Sequence, residues 1–456
     1  MRTARTFPAR IETTMQHTLN QTHDPAARSW VESANAQAGD FPIQNLPFSV
    51  FRRRNADETF RGAVAIGDQV IDIAAWGSRA RLDGIAGEAA RACAQPVLNA
   101  LFSMGPAAWR ALRHALFAAL HERAASEDRA AIEACLIPQP EVEHSLPAQI
   151  GDYTDFYTSI HHATNISKLL GLNGVGANFK SIPIAYHGRV SSIGISGQQF
   201  RRPAGQIMLP GEEAPIFSPS RKLDYELELG IYIGQGNAAG EPIGLDQADS
   251  HVFGLCLLND WSARDIQAWE MQPLGPFLAK NFATTISPWI VTMEALAPFR
   301  LPLPRPDADG KPLPYLDSDG NSTTGAIDIQ LEVCMETSRH RAANLPAAQL
   351  SRTSFKHQYW SIAQMVAHHA IGGCNLRPGD LLGSGTISGP QRSEAGALME
   401  LARNASEPVT LDTGEQRSYV EDGDAIILRG YCEKAGFARI GFGESRGEVL
   451  PAKRSR

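Results

Sequence analysis

KLDYELELGIYI, residues 222–233, reads as a β-strand whose two faces differ sharply. Strict alternation sets Leu223, Tyr225, Leu227, Leu229 and Ile231 on one side and Asp224, Glu226 and Glu228 on the other. Acids repeating at every second residue lie roughly 6 to 7 Å apart. That spacing destabilises a strand unless water, protonation or a cation screens the charges. A solvated sheet face is one resolution, with the acids simply hydrated. A bound divalent metal is the sharper one.

The chain around this strand has 456 residues, 43% apolar and 20% charged, the composition of a soluble globular protein with two or three domains. A formal charge of −7, with no concentrated run of Lys and Arg outside the C-terminal tail, argues against nucleic-acid binding and for small-molecule partners. Cys93, Cys135, Cys256, Cys334, Cys374 and Cys432 lack the CxxC spacing of zinc sites and the density of a disulfide scaffold, so reduced, mostly buried thiols are expected. No apolar run approaches the roughly 18 residues of a membrane-spanning helix. A cytoplasmic protein without a membrane partner is therefore expected. Residues 1–40 stand apart: Arg2, Arg5 and Arg10, with no acid before Glu12, faintly resemble a transit peptide, and Met15 is an alternative start to Met1. Their Ser, Asn and Gln content predicts a mobile arm.

The strand has neighbours of its own kind. GQIMLP, VFGLCLLN, AIDIQLEVCME, DLLGSGTIS and AIILRGYC, all after about Glu143, are strand-like runs broken by Gly and Pro turns, which predicts one large β-rich domain over 143–456. A helix is expected from about Gln358 to Ala370, ended by Gly372-Gly373, with His368 and His369 packing or capping there. Before this domain, FSVFR and GAVAIGDQVIDI predict strands joined by a hairpin at Gly67-Asp68, and Trp109, Leu112, Leu116 and Leu120 predict a helix over Pro106–Ala125. Pro138 and Pro140 mark a linker, so a smaller unit is placed at 41–142. The fold class is α+β, mainly β with helices.

Asp260 ends the apolar strand VFGLCLLN, and Ser262 with Asp265 has the spacing of a capping box opening a helix. Arg264 and Gln267 then project toward the region Asp260 faces. An ordinary helix cap at Asp260, a surface ion pair at Arg264 and a snorkelling Lys280 are the competing structural readings. IGDYTDFYTSIHHATN crowds Asp152, Tyr153, Asp155, Tyr157, His161 and His162 into a segment read as a loop, for which Asx turns are the bland alternative. GSGTISG, 383–389, lacks the Lys-Ser or Lys-Thr ending of a P-loop, which argues against nucleotide binding. Its amides and the Thr386 hydroxyl suit a carboxylate.

Together, FPIQNLPFSVF at 41, IGDYTDFYTSIHHATN at 150, YHGR at 186, LDYELELG at 223 and NDWSARDIQAWE at 259 resemble the fumarylacetoacetase family. PLGPFLAKNFATTISPW at 273, NLRPGDLLGSGTISG at 375 and GFGE at 441 extend the resemblance from Asp40 to Ala452. It implies a small SH3-like β-barrel followed by a larger mixed β-sandwich roll, commonly a homodimer. The implied activity is hydrolysis of the C–C bond of 4-fumarylacetoacetate to fumarate and acetoacetate, in tyrosine and phenylalanine catabolism. Carried over residue by residue, Asp155, Glu226, Glu228 and Asp260 are metal ligands, a set suited to Mg²⁺ or Ca²⁺. Lys280 and Thr284 belong to the metal's surroundings, although an ammonium cannot itself ligate.

By the same resemblance His162 is the base that activates water and Glu400 the acid that orients it. Arg264, Gln267 and Lys280 are the donors to an oxyanion, and Tyr157, Tyr186, Gln267 and Thr386 contact substrate. The metal is implied to stabilise the departing enolate. Two departures put the substrate in question: Gly171 stands where better-known members have an Arg nine residues past the base, and Met271 where they have a Tyr. The alternative is a hydrolase or decarboxylase for another diketo or β-keto acid of the same superfamily.

Overall fold

The computed structural model describes residues 18–169 and 171–453, so the signals read at Arg2, Arg5, Arg10 and Met15 lie outside the described residues. Residues 18–40, expected as a mobile arm, are instead docked. Trp30 Nε1 and Ser29 Oγ donate to the carbonyls of Ala119 and Leu120 at 2.9 Å each. The buried Arg113 guanidinium binds Thr22 Oγ1 and the carbonyls of Gln44 and Asn45, tying the segment to the helix Pro106–Leu120. Docking follows because Val31 and Ala34 have an apolar helix face to cover, which composition alone does not show.

The first unit is an antiparallel five-stranded sheet in the order Leu136–Pro138, Gln69–Asp72, Arg61–Ile66, Phe48–Arg53, Val142–Ser145, half a barrel rather than a closed one. Gly67 and Asp68 form the expected hairpin turn, with Gly67 at φ +55°. The stretch around Pro138 and Pro140, expected as a linker, supplies both edge strands of this sheet, so the unit runs to Ser145, past the expected boundary at 142. The helix begins after Gly105 as expected, but stops at Leu120 because His121 is already extended.

His144 lies on one of those edge strands, where Nδ1 donates to the Val50 carbonyl at 3.2 Å and the ring meets Trp289 edge-on at 4.7 Å. Burial pushes this imidazole down to about 4, against 6.5 for an ordinary histidine. Between those values the unfolded chain binds the extra proton, so the stability it supports is whole above pH 6.5 and is lost as pH falls toward about 4. Urea midpoints measured from pH 7 to pH 4 are expected to decline, and His144→Gln is expected to flatten the decline.

The larger unit is two sheets face to face. One runs Ile184–His187, Tyr153–Tyr157, Leu381–Gly383, Leu227–Ile233, Val252–Asp260, Thr284–Ile286, Ile193–Ile195. Its pairs are antiparallel except Leu381–Gly383 with Tyr153–Tyr157 and Thr284–Ile286 with Ile193–Ile195. The other runs Ala348–Ser354, Gln330–Glu336, Ala425–Cys432, Ile440–Leu450, Gln198–Arg201. Leu229, Ile231, Leu255 and Leu257 pack against Leu331, Val333, Leu428 and Phe442 between them. The opposite face of the first sheet, at Tyr232, Phe253, Cys256 and Leu258, packs on the N-terminal unit. Every residue of Leu227–Ile233 is consequently buried, and a hydrated acidic face is excluded.

IGDYTDFYTSIHHATN is not a loop: it forms the strand Tyr153–Tyr157 and the helix Ile160–Leu169, which places Asp155 mid-sheet and rules out the Asx-turn reading. The later helix spans Ile362–Ala370, capped by Ser361 through a capping box with Gln364. His369 packs through Thr154 Oγ1 at 2.9 Å and His368 through the Tyr315 hydroxyl at 3.1 Å. All the cysteines except Cys374 are buried. Among the described residues no helix is long and apolar enough to cross a membrane.

Candidate active site

Sheet register assembles the acids. Gly383 faces Asp155 on one side and Gly230 on the other, Glu228 pairs with Leu258, and Asp260 pairs with Thr284. Glu226 sits at the break where the chain leaves the strand partnering Val252–Asp260. Asp155, Glu226, Glu228 and Asp260 thereby bring one carboxylate oxygen each to within 4.8 Å of one another, all four residues buried. Asp155 Oδ1 and Glu228 Oε1 are buried without a hydrogen-bond partner among the described residues. Orphaned carboxylate oxygens cost several kcal/mol each in an interior. A hard dication satisfies them, and an all-oxygen donor set is the kind Mg²⁺ and Ca²⁺ prefer.

Lys280 does not snorkel. Its buried ammonium donates to Glu226 Oε2 and, at 2.7 Å, to Asp260 Oδ2. Tyr186 donates its hydroxyl to the same Asp260 oxygen at 2.9 Å, and Thr284 Oγ1 reaches Asp260 Oδ1 at 3.5 Å. These three groups orient carboxylates rather than stand in for them.

His162, in the first turns of the helix Ile160–Leu169, donates through Nδ1 to Glu400 Oε1 at 2.7 Å. Both side chains are buried. Glu400 lies on the short helix Leu398–Leu401 and is held by two further residues: Ser388 Oγ donates to its two oxygens at 2.9 and 3.1 Å, and Asn165 Nδ2 to Oε2 at 2.7 Å. With Nδ1–H committed to the carboxylate, the neutral ring presents Nε2 as its acceptor. Chemically, such a ring can take up a proton at Nε2.

The model for the Fumarylacetoacetase N-terminal family matches residues 44–147, and that for Fumarylacetoacetate (FAA) hydrolase C-terminal matches residues 153–449. This chain belongs to the fumarylacetoacetate hydrolase family. The chain is 43% identical over 421 residues to a fumarylacetoacetase of Homo sapiens, covering 91% of this chain and 98% of that protein. It is 43% identical over 431 residues to one of Oryza sativa subsp. japonica, with 93% and 97% covered. One from Caenorhabditis elegans is 44% identical over 422 residues, with 91% and 98% covered. A solved fumarylacetoacetate hydrolase from Exiguobacterium antarcticum is 15% identical, covering 90% of this chain and 100% of that one, with a TM-score of 0.46.

Within this cluster, electrostatics sorts the four acids. Burial raises Asp155, Glu228 and Asp260 above the usual carboxylate range, and repulsion from neighbouring acids adds to it. Burial pushes Glu226 the same way, but the charges of Lys280 and Arg264 outweigh it and hold Glu226 well below that range. The proton pressure on the other three is what a cation relieves.

The alternation that grouped Asp224 with Glu226 and Glu228 fails at Tyr225. Residues Leu223–Asp224 switch partners to Ser262–Ala263, and Asp224 turns toward Arg264 instead of the cluster. Arg264 is buried, not on the surface: Nε donates to Asp224 Oδ2 at 3.0 Å, and Nη1 to Glu226 Oε1 at 2.6 Å and Gln267 Oε1 at 3.3 Å. Its Nη2 lies 3.0 Å from the same Asp224 oxygen as an ion pair. The expected capping box is absent: Ser262 donates to the Asp260 carbonyl, and Asp265 accepts from Ser220 and the Arg221 amide. Nor does Asp260 cap a helix, since it is the last residue of its strand.

Tyr157 lies edge-on to His162 at 5.6 Å, its hydroxyl pushed upward by burial, and Thr386 is buried near Gly396. In GSGTISG, the Gly385 amide does bind a carboxylate, but it is the protein's own Glu228, at 3.1 Å. Gly171 is exposed, at φ +69° with open space around it, and Met271 is exposed just beyond the helix Arg264–Glu270.

Asn165 and Ser388 were not among the residues expected from sequence. Asn165 carried a readable signal, standing three positions after His162 on one helix face. Ser388 carried none, because its partner is set by tertiary contact.

Proposed function

We propose that the chain hydrolyses the C–C bond of 4-fumarylacetoacetate, giving fumarate and acetoacetate. The observation that carries this reading is the buried His162–Glu400 pair, with Nε2 free, beside a four-carboxylate cluster flanked by Arg264 and Lys280.

His162 Nε2 takes a proton from water as the water oxygen adds to a carbonyl carbon of the diketone. Arg264, Gln267 and Lys280 donate to the oxyanion that forms, each such donor contributing on the order of 100-fold or more to turnover. The C–C bond then breaks with its electron pair going to acetoacetate as an enolate, and the proton held on His162 is returned to that carbon. The hydroxyl stays with the fumaryl fragment as its carboxyl. Asp155, Glu226, Glu228 and Asp260 would hold Mg²⁺ or Ca²⁺, which supplies a Lewis acid for negative charge on the diketone oxygens. Tyr157, Tyr186 and Thr386 are proposed to contact substrate, and Thr284 to brace Asp260. We place the enzyme in tyrosine and phenylalanine catabolism, in the cytoplasm, as a homodimer with a small N-terminal and a larger C-terminal domain.

Gly171 and Met271 favour a second reading, another diketo or β-keto acid, because neither offers a polar contact. Purified protein stripped with a chelator is expected to lose fumarate release by at least about 100-fold and to regain it on Mg²⁺ or Ca²⁺ add-back. Full activity after stripping sinks the metal dependence. Release of carbon dioxide instead of fumarate selects the second reading.

A further inference from the structure

We propose that Asp224 is a positioning residue that locks the oxyanion-binding arginine and the Glu400-bearing turn to each other. The helix Leu398–Leu401 has Ala397 at its N-cap and no side-chain cap of its own. Asp224, from a distant strand, supplies the missing acceptors: Oδ1 takes the Leu398 amide at 2.9 Å and Oδ2 the Met399 amide at 3.1 Å. The same Oδ2 accepts from Arg264 Nε at 3.0 Å, and Oδ1 also accepts from the Tyr225 amide at 2.9 Å. Every contact is buried, and Asp224 itself is fully inaccessible.

One carboxylate therefore fixes two groups that act at different moments of the reaction. Met399 is the residue immediately before Glu400, so a shift of its amide is a shift of the carboxylate that orients His162. Arg264 is fixed by Asp224 along its Nε–Nη2 edge and by Glu226 through Nη1, so the guanidinium plane is set from two sides. Relaxing that geometry by even about 1 Å costs on the order of 100-fold in rate. A local cap at position 397 would stabilise the turn but would not tie it to Arg264.

This inference rests on the hydrolase reading, and wild-type turnover of fumarylacetoacetate in the same assay tests that reading separately. Asp224→Asn is isosteric and turns an NH₂ toward the donors it replaces an acceptor for. In the metal-loaded variant, kcat is expected to fall about 100-fold with KM changed less than about threefold. The loss is expected to be clearly smaller when Glu400 is already Gln, because only the Arg264 arm then remains to be lost. A wild-type kcat in Asp224→Asn, or losses that multiply in the double variant, overturns the proposal. If Asp224→Asn folds poorly, Ala397→Ser in the same chain restores a local cap. Partial recovery of kcat is then expected as the turn is restored, and recovery of folding without any recovery of kcat overturns the coupling to Glu400. Amide exchange at Leu398 and Met399, faster in Asp224→Asn than in wild type, gives a readout independent of substrate. Unchanged exchange there is equally fatal.

Discussion

Replacing His162 by alanine is expected to lower kcat for fumarate release by about three orders of magnitude, the range a positioned general base supplies, while leaving bound metal and folding intact. The separation follows from the contacts. His162 spends Nδ1 on Glu400 at 2.7 Å and touches none of the four cluster acids through a hydrogen bond, so its removal leaves the carboxylates paired as before. Glu400 keeps Ser388 and Asn165 and is not stranded as a bare buried charge. The cost in stability is then that of truncating one buried ring, a few kcal/mol at most. Glu400→Gln is expected to be milder than His162→Ala, because the amide still accepts from Nδ1–H but no longer stabilises the imidazolium. Steady-state kinetics, elemental analysis of the purified variant and its circular dichroism check the three parts together. Wild-type turnover in His162→Ala removes water activation from this residue.

The second large effect is expected from the smallest side chain in the site. Gly383 lies between Asp155 and Gly230 in the sheet, and a Cβ built there meets Asp155 Oδ1 at 2.4 Å, Glu228 Oε2 at 2.9 Å and the Tyr153 hydroxyl at 3.0 Å. Two of these atoms belong to cluster acids, and the third is a buried hydroxyl without a hydrogen-bond partner among the described residues. Gly383→Ala therefore displaces Asp155 Oδ1 and Glu228 Oε2, and with them the carboxylates of two cluster acids. Its backbone is not in the left-handed region, so the effect is steric. Overpacking of this kind costs about 1–3 kcal/mol in stability, a loss a chain of this size survives. Displaced ligands are expected to weaken Mg²⁺ binding by about 10- to 100-fold, with turnover falling in step at limiting metal. Titration calorimetry on the stripped protein measures the affinity directly. An alanine variant that binds Mg²⁺ as wild type does would mean that the ion sits elsewhere.

Much of the site was legible before folding, for reasons that can be stated residue by residue. Alternation placed Glu226 and Glu228 on one face and an apolar strand end marked Asp260, whereas Asp155 and His162 lay in a polar-dense segment and were singled out only by the family resemblance. The N-terminal hairpin followed from Gly67-Asp68 and the long helix from Gly105-Pro106. The errors share a cause. Asp224 obeys the same alternation as Glu226, yet its backbone pairs with Ser262–Ala263 rather than with Val252–Asp260, and a change of sheet partner leaves no mark on periodicity. Ser262 and Asp265 have capping-box spacing, yet each finds a better partner outside the helix. Residues 18–40 look like an arm by composition and are held by Arg113.

By itself the sequence determined what local geometry can express: where strands and helices run, and which residue types of the right chemistry repeat along them. Tertiary structure decided the rest. It buried both faces of Leu227–Ile233, turning a row of acids from a solvated edge into a charged interior. It brought Glu400 to His162 across 238 positions, with Ser388 and Asn165 to hold it. It also diverted Asp224 to Arg264. Backbone periodicity is fixed over a few residues, whereas burial and convergence depend on which distant segments pack together, and that is settled by the fold as a whole.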